Sequence, residues 1–423
     1  MKYYAPKGLY DITPEEVDLW QLVEEKVREE MDRYRYREIR TPLMEKTEVF
    51  ARGVGEETEV VSKQMYTFED KGGRSITLRP EGTASVVRAY LEHKMYGREE
   101  LSKLYYLGPM FRYETPQKGR SRQFHQYGAE AIGSSDPALD AELIELSISI
   151  LEALKVEEVG VKLNSIGCSE DREEYVDQLR SFLEPKRAKL CSDCQKRLEA
   201  NPLRILDCKE ESCSRLIAEA PRITDYLCSE CEEHFEGVRN YLDRVDLDYE
   251  LNPRLVRGLD YYARTVFEVF SADLGAQDAL LGGGRYDGLI ELLGGDPIPA
   301  AGFAAGIERL ILLLQERDGL STDGKLDLYL ATLDQETKEK GFELLRRLRK
   351  SGINAELDYL DKSLQGQLGY ADRFGADYTA ILGPRELKEG EITIRDMESG
   401  EQQLLELGDL EGSLAEILEK DGQ

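Results

Sequence analysis

The sequence predicts a mixed α+β chain of more than one domain, and three stretches carry that reading. Two apolar, aromatic-rich runs, Tyr105 to Phe111 and Phe124 to Ile132, flank the polar turn Thr115 to Arg120, whose Pro116 and Gly119 mark the loop of an antiparallel hairpin. Residues 168–246 are charged, helical in pattern and hold all seven cysteines, so they read as an insertion interrupting a first domain of residues 1–324. From residue 325 to 423 strand patterns alternate with helical ones, as in a small α/β domain.

With 423 residues the chain can bury a large core. At 41% hydrophobic and 33% charged residues, without an apolar run long enough for a bilayer or a secretory segment near Met1, it is expected in the cytoplasm and off the membrane. A formal net charge of -28 and a pI near 4.7 argue against indiscriminate nucleic-acid binding, because so acidic a chain repels phosphate at long range. A nucleic-acid partner must therefore be met by local basic patches.

Thr13 can cap a first helix, with Pro14 at its first position and Glu16 completing a capping box. Val17, Trp20, Val23, Val27 and Met31 recur at helical spacing until about Tyr34. Glu38 to Leu43 reads as a short strand closed by Pro42, and Thr47 to Asp70 as a polar, glutamate-rich segment. Ser75 to Thr83 brings a strand to an abrupt Pro/Gly turn, leaving Glu81 and Thr83 at a strand-to-helix junction where polar groups often face ligands. The alternative there is a capping Thr beside a surface Glu. In the hairpin, alternation puts Arg122, Phe124, Gln126, Gly128 and Glu130 on one face, which suits a pocket floor for an anion and a flat base better than a core.

A helix from Pro137 to Leu154 and a strand from Val159 to Asn164 lead into the insertion. There Cys191 with Cys194 and Cys228 with Cys231 form two Cys-x-x-Cys pairs, with Cys208 and Cys213 between. In a cytoplasmic protein this spacing favours a metal over a disulfide, and the four thiolates are expected on one structural zinc, with Cys208 as a competing ligand. Reduced free thiols are the alternative. After a strand at Thr265 to Phe270, the run Leu281 to Gly288 is expected to open a helix; it is neither a Walker loop nor a dinucleotide fingerprint. Ala300 to Leu310 passes from a small-residue strand to an apolar helix, placing Arg309 where an anion could be met or where Glu308 could pair with it. In the last domain Arg346, Arg347, Arg349 and Lys350 end a helix from Gln335 to Ser351; they are either an RNA contact or a solvated helix terminus.

These residues resemble those of class II aminoacyl-tRNA synthetases and, along nearly the whole chain, the histidyl-tRNA synthetases. The helix and strand ending at Pro42, the hairpin holding Arg112 and the stretch Gly306 to Arg309 are similar to the three class motifs. More specific are Leu78-Arg79-Pro80-Glu81-Gly82-Thr83, Arg257-Gly258-Leu259-Asp260-Tyr261-Tyr262 and Gly283-Gly284-Arg285-Tyr286-Asp287-Gly288. A glycine common in that family before the first-motif strand is Arg35 here.

The resemblance implies a catalytic domain built on an antiparallel sheet flanked by helices, a C-terminal anticodon-binding domain and a homodimer. It implies ATP-dependent ligation of L-histidine to its tRNA through histidyl-adenylate, with ATP as substrate alongside Mg2+. Arg112, Arg257 and Arg309 would be catalytic; Arg112, Glu114, Arg120, Phe124 and Arg309 would hold ATP; and Glu81, Gly82, Thr83, Arg112, Gln126, Glu130, Arg257, Tyr261 and Tyr262 would hold histidine. Gln117, Lys118 and Arg120 would meet the acceptor end of the tRNA. The alternative is the non-catalytic, synthetase-like regulatory subunit of ATP phosphoribosyltransferase, which would lack the C-terminal domain and usually loses active-site residues, both kept here.

Overall fold

The computed structural model describes residues 3–55, 58–116, 119–156, 158–271, 279–315 and 326–421. The chain divides into two compact units, Met1–Leu320 and Ser321–Gln423. Both this division and the sequence-derived boundary at 324 fall within 316–325, outside the described residues.

An eight-stranded sheet organises the first unit, in the order Arg37–Glu38, Ser102–Phe111, Gln123–Ile132, Ala300–Gly306, Ala279–Arg285, Ala263–Ser271, Val159–Ser165 and Glu250–Leu251. Neighbours are antiparallel except at the two edges, where the short outer strands run parallel to theirs. The expected hairpin is present, with Phe111 opposite Gln123 and Ser102 opposite Ile132.

The helix Pro14–Arg33 starts as its sequence dictates: Thr13 is the N-cap, Pro14 sits in the first turn, and the Thr13 N–H donates to Glu16 Oε2 at 3.4 Å. Its stripe of Trp20, Val23, Val27 and Met31 is buried in one core with Leu143 and Ile144 of the helix Pro137–Ala153 and Leu310 and Leu314 of the helix Ile307–Gln315. Burial of each such side chain contributes roughly 1.5–3 kcal/mol. At its end Arg35 adopts φ 61°, a left-handed conformation that costs a residue with a side chain roughly 1–2 kcal/mol.

Two elements differ from expectation. The strand expected over Glu38 to Leu43 pairs only at Arg37–Glu38, after which Pro42, with no N–H to give, precedes a move into a separate three-stranded sheet of Met44–Lys46, Ser75–Leu78 and Tyr66–Glu69. The run from Leu281, expected to open a helix, is the strand Ala279–Arg285. Its glycines make room: a Cβ at Gly283 would lie 2.3 Å from the Gly302 carbonyl oxygen on the next strand. The polar segment after Thr47 holds the helix Thr47–Val54 and the strand Tyr66–Glu69.

Four α-helices, Ser169–Leu183, Ser192–Ala200, Glu211–Ile217 and Ser229–Arg244, make up most of the insertion. Their apolar faces do not form a core of their own. Tyr175, Leu179, Leu198 and Ile205 pack in the same buried cluster as Ile132, Tyr261, Tyr262 and Tyr286.

The second unit is a five-stranded mixed sheet in the order Ala355–Leu357, Leu326–Thr332, Ala376–Leu382, Glu391–Asp396 and Gln402–Glu406. Its helix Gln335–Lys350 packs Leu344, Leu345 and Leu348 into the core. Two of the basic residues at that helix end have local partners: Arg347 pairs with Glu411, and Arg349 Nε donates to the Ala355 carbonyl at 3.0 Å. Among the described residues no helix is long and apolar enough to cross a membrane.

Candidate active site

One row across the central sheet is nearly bare of side chains in its three middle strands. Across neighbouring strands Tyr106 lies opposite Gly128, Gly128 opposite Ala304, Ala304 opposite Gly282, and Gly282 opposite Glu268. Small residues in a row let a flat ligand lie close to the backbone. Over this floor opens a cleft of about 210 Å³, lined among others by Arg112, Glu114, Arg120, Phe124, Gln126, Arg257 and Arg309. Three guanidinium groups far apart in sequence thus converge.

Each is positioned by a different element. Arg112 follows the strand Ser102–Phe111; its Nε donates to the Pro80 carbonyl at 2.8 Å and its guanidinium carbon lies 5.2 Å from the Phe124 ring centre. Arg257 comes from the loop after Leu255, and its Nη1 is held 2.9 Å from Glu268 Oε2 while its Nε is buried without a hydrogen-bond partner. The buried Gln126 Oε1 also lacks a partner, and Gln126 lines the same cleft. Buried polar atoms left unpaired cost about 1–3 kcal/mol each, a cost that a polar ligand in the cleft could relieve. Arg309, at the start of the helix Ile307–Gln315, donates to the Ala279 carbonyl. Neighbouring Glu308 is taken up elsewhere, accepting the His125 N–H at 2.8 Å and the Tyr10 hydroxyl at 3.2 Å. Arg120 pairs with Glu114 at 3.5 Å.

Gly282 is what gives Arg257 its place, because a Cβ there would lie 2.1 Å from Nη2 of that arginine, and its three nearest atoms would all belong to that guanidinium. Gly282→Ala is expected to displace the guanidinium by about an ångström and lower turnover roughly 10²-fold without disturbing the sheet. Initial rates and a melting curve check this; unchanged rates would show that the position of Arg257 is unimportant.

Two alternations beyond Gln126, the same strand face carries Glu130, fully buried. Its Oε1 accepts the Thr83 hydroxyl at 2.6 Å and its Oε2 the Tyr286 hydroxyl at 2.5 Å. Burial pushes its carboxyl up to about 8, against the pull of those two donors. Room for it comes from Gly302 on the adjacent strand, where a Cβ would lie 2.0 Å from Oε2. Beside it Glu81 accepts the N–H of Thr83 at 2.7 Å and of Ala84 at 2.9 Å, so the helix Thr83–Glu92 is capped by Glu81 and not by Thr83. Burial raises the Glu81 carboxyl, opposed by those N–H groups and by Arg112. The rings of Tyr261 and Tyr262 are 4.7 Å apart, and those of Tyr261 and Tyr286 5.6 Å. Charge on Glu81 and Glu130 bears on Tyr261 and Tyr262, placing all four groups in one neighbourhood. Tyr106 closes the pocket over Gly82, where a Cβ would lie 2.2 Å from its ring.

The structure therefore gathers Arg112, Glu114, Arg120, Phe124, Gln126, Arg257 and Arg309 around one cleft. It gathers Glu81, Gly82, Thr83, Glu130, Tyr261 and Tyr262 in one buried polar cluster. Gln117 and Lys118 lie outside the described residues. Three residues were missed. Tyr286 is the direct partner of Glu130, Tyr106 shapes the pocket, and Glu268 holds Arg257. Alternation through 282, 284 and 286 would have pointed to Tyr286 had the glycine run been read as a strand. Arg285 of the same run is structural, wholly buried against Asp140 at 2.9 Å.

The expected zinc set is not formed. Cys191 and Cys194 cluster with Cys208 and Cys213, whereas Cys228 and Cys231 cluster with Cys168 and Asp171. Thus Cys208 belongs with the first pair rather than competing for a shared ion, and the two Cys-x-x-Cys pairs are separated because each opens a different helix.

An antiparallel sheet flanked by helices, with arginines over its floor, is the arrangement that the resemblance to class II aminoacyl-tRNA synthetases implied, and comparisons with known proteins place the chain in that class. Residues 8–310 match the family model described as "Histidyl-tRNA synthetase" and residues 327–417 the one described as "Anticodon binding domain". The chain belongs to the histidyl-tRNA synthetase family. It is 54% identical over 411 residues to "Histidine--tRNA ligase" of Halothermothrix orenii, covering 97% of this chain and 98% of that one. To the protein of the same name from Bacillus subtilis it is 49% identical over 406 residues, 95% and 96% of the two chains. The crystal structure of apo S. aureus histidyl-tRNA synthetase matches with TM-score 0.83 and 41% identity over 97% of this chain and 99% of that one.

Proposed function

We propose that this chain is a histidine-tRNA ligase that condenses L-histidine with ATP and passes the acyl group to the terminal adenosine of its tRNA. The observation that carries this reading is the convergence of Arg112, Arg257 and Arg309 on one cleft that adjoins a buried carboxylate and phenol cluster. Bringing the amino-acid carboxylate against the α-phosphorus sets anion against anion. Arg112 and Arg257 offset that repulsion and support the charge that develops as the carboxylate oxygen bonds to phosphorus and pyrophosphate leaves. Arg309 meets the distal phosphates, Phe124 stacks on adenine and Glu114 helps place it.

Glu81 and Thr83 receive the ammonium group, with Gln126 near the substrate backbone. Glu130, Tyr262 and Tyr261 surround the imidazole. A side chain without the two ring nitrogens would leave such groups unpaired, at ~1 to 3 kcal/mol each. Mg2+ would travel on the phosphates, keeping most of its waters and taking at most a carboxylate or two from protein. Glu114 and Glu308 line the cleft but already have partners, Arg120 and His125, so water and phosphate would supply most of the ion's ligands. Such an ion would neutralise phosphate charge.

Residues 1–324, interrupted by 168–246, would form the catalytic domain and 325–423 the anticodon-binding domain. Arg120, with Gln117 and Lys118, would meet the tRNA acceptor end. The enzyme would work as a cytoplasmic homodimer, off the membrane. A regulatory subunit of ATP phosphoribosyltransferase is disfavoured by the match of residues 327–417 and by retention of the cleft arginines. Histidine-dependent ATP-pyrophosphate exchange, followed by acylation of histidine tRNA, tests the proposal. Exchange is expected with histidine and not with other amino acids, and its absence would overturn the reading. Light scattering reads the dimer.

A further inference from the structure

We propose that the insertion binds two zinc ions at separate sites, one held by Cys191, Cys194, Cys208 and Cys213 and the other by Cys168, Asp171, Cys228 and Cys231. In each set the four ligand atoms lie within 4.8 Å of one another. A tetrahedral zinc with bonds of about 2.3 Å to sulfur sets neighbouring sulfurs roughly 3.8 Å apart. The Sγ atoms of Cys191 and Cys208 are 3.9 Å apart, well beyond the ~2.05 Å of a disulfide.

The backbone around each set favours thiolate. Cys191, Cys168 and Cys228 are the N-caps of three helices, whose positive ends favour thiolate. Cys213 accepts the Cys191 N–H at 3.3 Å, and Cys191 accepts the Cys194 N–H at 3.4 Å. Asp171 argues most strongly against a mere packing of reduced thiols. It is 4% exposed, and one of its oxygens lies within 4.8 Å of the sulfurs of Cys168, Cys228 and Cys231. Its oxygens accept the N–H of Cys168 at 3.1 Å and of Cys228 at 3.0 Å, which fix the carboxylate among three sulfurs as an outer partner fixes a ligand. A carboxylate so placed adds negative charge beside three thiols, which a bound cation would offset. Four protein ligands per ion leave no open position, so both sites are structural.

Their place in the fold gives them a task. Arg172, the residue after Asp171, donates through Nη1 to the Tyr262 carbonyl at 2.7 Å. Between Cys194 and Cys208, Asn201 and Arg204 each donate to Asp260 Oδ1 at 3.2 Å, and Arg204 also to the Gly258 carbonyl at 3.1 Å. Two arms, each tied by its own ion, thus brace the loop that carries Arg257, Tyr261 and Tyr262.

The test is a metal count. Wild-type protein, reduced and desalted free of chelator, is expected to carry two zinc ions per chain by plasma mass spectrometry and by native mass spectrometry. Titrating it with a mercurial should release both ions as the seven cysteines react. Cys194→Ser with Cys208→Ser should leave one ion, and Cys168→Ser with Cys231→Ser should leave the other. Zero or one zinc in the wild type, iron in its place, or a variant pair that keeps both ions would overturn the proposal. Should a variant pair fail to fold, the wild-type count alone decides. Emptying the second site is further expected to raise the histidine KM by roughly tenfold while moving kcat less. That last expectation rests on the proposed function, and an unmoved KM would remove the bracing role; the zinc count stands independently of it.

Discussion

Arg257→Gln is expected to lower histidine-dependent ATP-pyrophosphate exchange by roughly 10²–10³-fold, the cost of removing one preorganised donor from a developing oxyanion. Several features make this residue the sharpest test. Its Nη1 is anchored on Glu268 while its Nε is buried with no partner, so the group is already oriented and still has a donor to offer. Gly282 clears the sheet beneath it, an arrangement that packing alone does not require. Glutamine keeps a hydrogen bond to Glu268 within reach, which limits damage to the fold. The loss should appear chiefly in kcat, since the charge it supports is greatest as the phosphorus is attacked. Circular dichroism and gel filtration report the fold; a variant with near-normal exchange would remove Arg257 from the chemistry.

Glu130→Gln is expected to act in opposite directions on stability and activity. The unfolded chain releases this proton near 4.5 and the folded chain near about 8, so the stabilising effect of the raised value is fully present below 4.5 and lost as pH rises through 8. Between those values the folded state binds more protons than the unfolded one, and stability falls with rising pH. Glutamine has no such proton to lose. The variant should therefore gain on the wild type as pH is raised from 5 to 8, by on the order of a few kcal/mol at the upper end. An amide can still accept from Thr83 or Tyr286, the two present partners of the carboxylate. It cannot pass a proton to the imidazole and become its counter-ion, and kcat/KM for histidine should fall by roughly 10²-fold or more. Melting temperatures at pH 5.5 and 8 together with histidine kinetics decide the matter. A variant that melts like the wild type at both pH values would show that burial does not burden Glu130, and unchanged kinetics would remove it from recognition.

Much of this site was legible before any coordinates. Pro and Gly between two aromatic runs announced the hairpin, and strict alternation along its return strand put Phe124, Gln126 and Glu130 on one face, as the sheet register bears out. Local rules sufficed there because a strand's two faces are set by its own backbone. The same rules failed for Gly282 to Gly284, whose lack of side chains carries no period. Only the neighbouring strand, whose Gly302 and Phe303 atoms come within 3 Å of where a Cβ on Gly283 would sit, shows why a glycine stands there. Tyr286 lies within a family motif but was given no site role for that reason. Glu81 was read as facing a ligand, with a Thr cap as the alternative; in the fold it is Glu81 that caps the helix while Thr83 turns to Glu130.

By itself the sequence determined the start of the first helix, the hairpin, the family motifs and the presence of Cys-x-x-Cys pairs, all of them matters of neighbours along the chain. Tertiary structure alone decided which pairs share a cluster, that Tyr286 rather than Tyr262 donates to Glu130, and that three arginines separated by up to about two hundred residues line one cleft. The physical reason is that ligand geometry and charge interactions depend on distance through space, over a few ångströms, whereas a sequence records only distance along the backbone.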